Sequence, residues 1–60
     1  MLTQKEIEVL ELRAKELTQI EVSKKLGISQ AAVSNFEKNA LRKIREARQT
    51  LEEAKRLGLK

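Results

Sequence analysis

The sequence has 60 residues and contains no cysteine, proline, histidine or aspartate, and its only aromatic residue is Phe36. Without cysteine there is no disulfide and no thiolate metal ligand, so packing alone must hold the fold together. Glutamates are the only carboxylates, no imidazole base is present, and no glycine-rich phosphate loop occurs. The composition therefore argues against an enzyme, and we expect neither a cofactor nor a metal site. At this length we expect one domain, residues 1–60.

Long apolar runs are also missing. No stretch approaches the roughly 18 apolar residues of a transmembrane helix, and the first residues lack the apolar core of a secretory signal. We therefore expect a cytoplasmic chain that has no membrane partner and no evident small-molecule ligand.

Charge is plentiful but unevenly distributed. Residues 1–22 carry five Glu against three Lys or Arg, a balance of −2, whereas residues 23–60 carry ten Lys or Arg against four Glu, a balance of +6. An excess of cations on one side favours a polyanionic partner such as nucleic acid. A solvated, charged surface would have the same composition, so the asymmetry alone does not decide the partner.

One six-residue pattern occurs three times: LTQKEI at 2–7, LTQIEV at 17–22 and ISQAAV at 28–33. In each copy an apolar residue precedes a Ser or Thr, which is typical of a helix N-cap flanked by a hydrophobic staple. The first two copies have Glu three residues after the cap, completing a capping box, whereas the third has Ala32. The pattern therefore predicts three helix starts, with N-caps at Thr3, Thr18 and Ser29.

We expect an all-α fold whose helices cover about 4–15, 19–26 and 30–57. Gly27 ends the second helix, since glycine takes the left-handed backbone at no side-chain cost. No proline or glycine interrupts the third helix, which would extend about 40 Å. A break near Asn39 into two helices is the alternative.

The second helix, the turn at Gly27 and the helix that follows form a helix-turn-helix motif. The small Ser23 fits the place where the two helices cross closely. Apolar residues occur at the positions that this motif buries, namely Val22, Leu26, Ile28, Val33 and Phe36.

The segment LTQKEIEVLELRAK, followed by LTQIEVSKKLGIS, resembles the helix-turn-helix of LuxR-type regulators and of sigma-factor region 4. The resemblance is strongest to archaeal Tfx-type transcriptional regulators, because EKNALRKIREARQTLEEAK is similar to their long third helix. It implies a sequence-specific regulator that binds double-stranded DNA and is not an enzyme. Two departures stand out: Glu16 lies where these families usually have Gly, and Tfx-like proteins carry a further C-terminal region.

In a helix-turn-helix the first turns of the second helix of the motif enter the major groove. Residues on the exposed face there are expected to contact bases, namely Gln30, Ala31, Ser34 and Asn35. Hydroxyl, amide and basic groups around them are expected to contact the DNA backbone: Thr18, Gln19, Lys24, Lys25, Ser29, Lys38, Arg42 and Lys43. At position 32, alanine avoids a carboxylate near the phosphates; packing against the preceding helix would also require a small residue.

The remainder of the third helix, residues 42–57, extends beyond what a three-helix motif needs. A heptad seam continues along it through Ile44, Ala47, Leu51 and Ala54. The seam can pair with the same helix of a second chain, forming a homodimer, or fold back against the first helix. A protein-interaction module without DNA binding is the alternative function. RNA binding is less favoured because no aromatic residue is left for stacking.

Overall fold

The computed structural model describes residues 1–59, and within them the secondary structure is entirely helical. Helix α1 spans Gln4–Ala14, α2 spans Gln19–Leu26 and α3 spans Gln30–Arg56. This confirms the predicted all-α class with a long third helix. Helices α1 and α3 each end one residue earlier than expected, and α3 continues through Asn39 without a break.

The three helix starts follow the repeated hexamer. Thr3 and Thr18 each form a complete capping box, with Glu6 and Glu21 respectively. Ser29 accepts only the hydrogen bond from the Ala32 backbone N–H, at 3.0 Å, because no carboxylate is present three residues later. The first turn of α3 is therefore the one helix start among the three that has no acidic side chain.

Each of the three helices is followed, within two residues of its end, by a residue with a left-handed backbone: Glu16 (φ 68°), Gly27 (φ 67°) and Gly58 (φ 77°). In each case the next residue is Leu or Ile, and its N–H donates to a carbonyl five residues back in the last turn. This is the arrangement of a Schellman motif, in which glycine normally occupies the left-handed position. Glu16 adopts it without glycine's freedom.

The core consists of one fully buried valine from each helix, Val9, Val22 and Val33. Partly buried apolar side chains pack around them: Leu12, Leu17, Leu26, Ile28 and Phe36. As expected, Leu26, Ile28 and Phe36 pack against the valine cluster, but each is partly rather than fully buried. Three short side chains therefore form the centre of the domain.

Helix α3 packs on both other helices and then continues beyond them, giving an elongated molecule of 45 × 18 × 15 Å. Ala40 is fully buried and Ile44 is half-buried, whereas Leu51 is 63% exposed. The N-terminus reaches as far as Ala47, where Met1 and Leu2 line a shallow apolar depression with Ile44. Within residues 1–59, no helix is both long and apolar enough to cross a membrane.

Candidate nucleic-acid interface

The face of α3 opposite the core combines small, polar and basic residues. Positions 31, 35, 38 and 42 follow one another at steps of three or four, so they lie on one side of the helix. Val33, Phe36 and Ala40 occupy the other side and pack inward. The outward side chains are exposed: Ala31, Asn35, Lys38 and Arg42.

The four residues expected to contact bases lie at the start of this face. Gln30, Ala31 and Asn35 are exposed, whereas Ser34 is half-buried at the edge of the packed side. Ser29 caps the helix with its hydroxyl, which accepts from the Ala32 N–H. The N–H groups of the first two helical residues have no intrahelical acceptor, so they give this end of α3 a positive potential.

Ala32 is half-buried. Its small side chain therefore fits both explanations for the missing carboxylate: close packing at the base of the motif, and an uncharged helix start. Either way, the first turn of α3 contains no acidic residue.

A polar cluster beneath the interface joins all three helices. The Glu37 carboxylate of α3 accepts a hydrogen bond from Arg13 Nε of α1 at 3.1 Å. Its other oxygen accepts from Gln19 Nε2, at the start of α2, at 3.0 Å. The Arg13 guanidinium also donates to the Leu17 carbonyl at 2.8 Å, which holds the turn between α1 and α2.

These contacts change what is expected of Gln19. The side-chain amide donates to Glu37, so its nitrogen is engaged inside the domain. The hydrogen bond from Gln19, followed by that from Arg13, lowers the pKa of the Glu37 carboxyl below its ordinary value. Glu37 is therefore an ionised carboxylate that accepts hydrogen bonds from the Gln19 amide and the Arg13 guanidinium. Its sequence position alone gave no signal for this role.

Lys43 was expected to contact the DNA backbone, and the structure places it elsewhere. Its ammonium group donates to Glu6 Oε1 at 2.8 Å and to the Met1 carbonyl at 3.3 Å. Glu6 is only 3% exposed, so the pair ties α3 to the start of α1. Because the Lys43 ammonium group is bound to this buried carboxylate, it is directed away from the outward face of α3.

The other expected cations remain on the surface. Lys24 and Lys25 occupy the last turn of α2 and are exposed, as is Lys38. Arg42 is exposed and forms an ion pair with Glu46 at 3.2 Å, one turn further along α3. Because both partners of that pair are mostly in solvent, a phosphate could compete for Arg42 at small cost.

No three acidic, histidine or cysteine side chains among residues 1–59 are grouped closely enough to hold a metal ion. Three polar features of the described chain bear on the interface: the basic outward face of α3, the Glu37 cluster and the Glu6–Lys43 pair.

Comparison with known proteins finds relatives with regulatory names. Relatives from Thermococcus kodakarensis and Pyrococcus furiosus are each 54% identical over 50 residues, and one from Methanocaldococcus jannaschii is 48% identical over 50. All three are named "putative transcriptional regulatory protein". The match covers 83% of this chain but only 33% to 36% of theirs, so the chain spans about a third of their length. No solved structure matches.

A family model described as "Bacterial regulatory proteins, luxR family" matches residues 1–50, which include α1, α2 and most of α3. The family is regulatory rather than enzymatic, in keeping with the composition. The chain therefore belongs to the LuxR family of regulatory proteins, and its three helices form the helix-turn-helix DNA-binding domain of that family.

Proposed function

We propose that this domain binds double-stranded DNA sequence-specifically, with the first turns of α3 in the major groove. One observation carries the proposal: opposite the valine core, α3 presents an exposed, polar and basic face that starts at a helix N-terminus without a carboxylate. An α-helix fits the major groove, and an uncharged, positively polarised start is suited to approach the phosphates.

Base contacts would come from the start of the face. Glutamine and asparagine bond bidentately to adenine, so Gln30 and Asn35 are suited to adenine. The methyl group of Ala31 can contact a thymine methyl, and Ser34 can donate to or accept from either kind of base. No arginine occurs in the first two turns of α3, so the usual guanine contact is missing there. We therefore expect a preference for A·T-rich half-sites.

Backbone contacts would surround this centre. The capping residues Thr18 and Ser29 start two helices whose first N–H groups can bind phosphate oxygens. Gln19 would contribute its main-chain N–H, since its side chain is bound to Glu37. Four exposed cations would complete the set, namely Lys24, Lys25, Lys38 and Arg42. Lys43 would act on the fold, through Glu6, rather than on DNA.

The wider role we propose is transcriptional regulation. The relatives that support it are archaeal and carry regulatory names, which fits the resemblance to Tfx-type regulators. They are about three times as long as the matched segment, so their remaining residues could add effector or assembly functions to this DNA-binding unit.

We also propose that the exposed part of α3 pairs with a second chain. Within the described chain, the seam is buried at Ala40 and half-buried at Ile44, whereas Ala47 and Leu51 are exposed. Large and small residues alternate along Ile44, Ala47, Leu51 and Ala54, which allows two helices to approach closely. A two-fold dimer would present two copies of α3 to half-sites about 34 Å apart.

The test is equilibrium binding to labelled duplex DNA, single-stranded DNA and RNA, followed by selection from a random duplex library. About four neutralised phosphates should give log K a slope near −4 against log salt for duplex. Selection should enrich A·T-rich half-sites. Absence of duplex binding at low salt would overturn the proposal and favour a protein-interaction module.

A further inference from the structure

We propose that Glu37 is a positioning residue for DNA binding: it sets the start of α2, which anchors a phosphate, relative to the base-contacting turns of α3. The inference rests on the proposed function and goes beyond it, since Glu37 would not touch the DNA. It assigns a binding role to a carboxylate, a group that on charge alone opposes DNA binding.

The geometry of the cluster supports this role. Glu37 lies two turns into α3, and its carboxylate binds Gln19 Nε2 at 3.0 Å and Arg13 Nε at 3.1 Å. Gln19 is the first residue of α2, directly after the N-cap Thr18. The hydrogen bond to Glu37 therefore fixes the helix start whose free N–H groups would meet a phosphate.

A helix of only eight residues gives α2 little rigidity of its own. Its packing into the core comes from Val22 and Leu26, which lie in the middle and at the end of the helix. The side-chain amide of Gln19 and the Arg13 bond to the Leu17 carbonyl hold the other end. Without Glu37, the start of α2 would keep its capping box and the packing of Leu17, but it would lose its side-chain hydrogen bond to α3.

Positioning matters because DNA fixes the distance between phosphates and base edges. A phosphate anchor on α2 and base contacts on α3 act together only if the two helix starts hold a fixed separation. A loosened α2 start would have to be ordered on binding, which lowers affinity for every duplex.

The experiment compares three variants by duplex binding at several salt concentrations, at a temperature where circular dichroism shows equal helix content. Glu37→Ala removes both contacts and one negative charge. Glu37→Asp keeps the charge but is one methylene too short to reach both partners. Glu11→Ala is the control, because it removes an exposed carboxylate of α1 that lies outside the cluster.

We expect Glu37→Ala to bind selected and random duplexes about tenfold more weakly. The slope of log K against log salt should be shallower by about one, which corresponds to the loss of one phosphate contact. Glu37→Asp should weaken binding in the same direction, and Glu11→Ala should bind as tightly as the wild type or more tightly. In both Glu37 variants, the NMR signals of the Gln19 side-chain NH₂ group should shift towards those of a free amide. This shift reports the loss of the Gln19–Glu37 hydrogen bond independently of DNA binding.

The inference is overturned if Glu37→Ala binds as tightly as wild type or more tightly, as charge alone predicts. It is also overturned if Glu37→Asp releases the Gln19 amide yet binds DNA normally. Either result leaves duplex binding by the wild-type chain intact. Failure of the wild-type chain itself to bind duplex would instead overturn the proposed function, and this inference with it.

Discussion

Lys43 Nζ lies 2.8 Å from Glu6 Oε1, so an ion pair with an almost completely buried carboxylate joins the start of α1 to the middle of α3. The same oxygen accepts the Thr3 backbone N–H at 2.7 Å, as part of the first capping box. One carboxylate thus caps a helix and crosslinks two helices. Together, the bond from Lys43 and then the bond from Thr3 lower the pKa of Glu6 to about 2, from an ordinary value of 4.5.

This shift predicts how stability depends on pH. A carboxyl group with a lower pKa in the folded chain stabilises that chain once ionised, and the gain is lost as pH falls. For Glu6 the loss should occur between about pH 4.5 and 2. Thermal unfolding of Glu6→Gln should therefore show a lower Tm than wild type at pH 7, with the difference shrinking towards pH 2.

Glu52→Gln, on the exposed part of α3, is the control for the loss of one negative charge. It should keep the pH dependence of the wild type. A difference between Glu6→Gln and wild type that stays constant from pH 7 to pH 2 would contradict the ionised pair as the cause.

The left-handed residues at the helix ends give a second prediction. Glu16 (φ 68°) has a backbone that costs a residue with a side chain about 1–2 kcal/mol. Glu16→Gly removes this cost but adds unfolded-state entropy, so we expect a net stabilisation of about 0.5–1 kcal/mol. The measurement is denaturant unfolding.

Gly27→Ala is the reciprocal change, at nearly the same angle (φ 67°). A Cβ added at Gly27 would meet nothing within 4 Å, so only the backbone conformation is penalised. We expect a loss of about 1 kcal/mol or more. Should Glu16→Gly also destabilise the chain, a side-chain role for Glu16 would outweigh its backbone strain.

The helix starts could be predicted because each is encoded within six residues. Capping boxes act between positions three apart, so Thr3 and Thr18 reveal their helices locally. The ends of α1 and α3 were predicted only to within one residue, although Gly58 marks the left-handed position after α3 whereas Glu16 occupies it after α1. The half-burial of Phe36 could not be predicted, because the helical period gives the side of α3 but not the distance from the centre of the core.

The outward face of α3 could be predicted for the same reason as the core. The helical period of about 3.6 residues places the apolar residues on one side of α3 and leaves the polar ones on the other. Polar contacts between helices could not be predicted. Lys43 and Arg42 are neighbours in a basic stretch, yet Lys43 pairs with Glu6 and Arg42 with Glu46. The pair of Arg42 with Glu46 is a local i,i+4 contact within α3. The partner of Lys43 depends on how α1 packs across α3, and the sequence offers several acidic candidates on α1.

The valine core predicts where the domain is most sensitive. Val22→Ala removes two fully buried methyl groups and leaves a cavity, which should cost about 2–3 kcal/mol. That is a large share of the few kcal/mol available to a domain of this size. Ile20→Ala, on the same helix but 49% exposed, is the control and should cost about 0.5 kcal/mol or less.

Phe36→Ala tests the edge of this core. Replacing a fully buried phenylalanine by alanine destabilises a protein by about 3–5 kcal/mol, and removing the half-buried ring of Phe36 should destabilise it by less. Thermal melts of Val22→Ala, Phe36→Ala and Ile20→Ala give the order of their effects on stability directly. An effect of Ile20→Ala as large as that of Val22→Ala would contradict the position of the core.

The outward face of α3 predicts two kinds of binding defect. Asn35→Ala removes a proposed base contact, so it should relax preference among selected duplexes by about 1–3 kcal/mol while random duplex binding changes little. Lys38→Ala removes a proposed phosphate contact and should weaken all duplexes about equally, with a salt slope shallower by about one. Identical behaviour of the two variants would contradict this division of roles.

The exposed seam of α3 gives the last prediction. A helix end that extends into water from a small domain is marginal by itself, because little tertiary packing supports it. Leu51 is 63% exposed and Leu57 is 69% exposed, so the single chain leaves large apolar side chains in solvent there. Pairing with a second copy along the seam would bury Leu51 and would also support the free part of α3.

Leu51→Arg places a charge in the middle of the proposed interface, whereas Gln49→Arg places the same charge on the far side of the helix and serves as the control. At about 100 μM, sedimentation should show dimers for wild type and Gln49→Arg and monomers for Leu51→Arg, because dimer population follows concentration. The Leu51→Arg monomer should keep its helix-turn-helix fold, since the valine core lies elsewhere, and should bind single half-sites but lose the advantage of paired ones. A wild-type chain that sediments as a monomer at this concentration would contradict the dimer, and the seam would then remain exposed in the isolated domain.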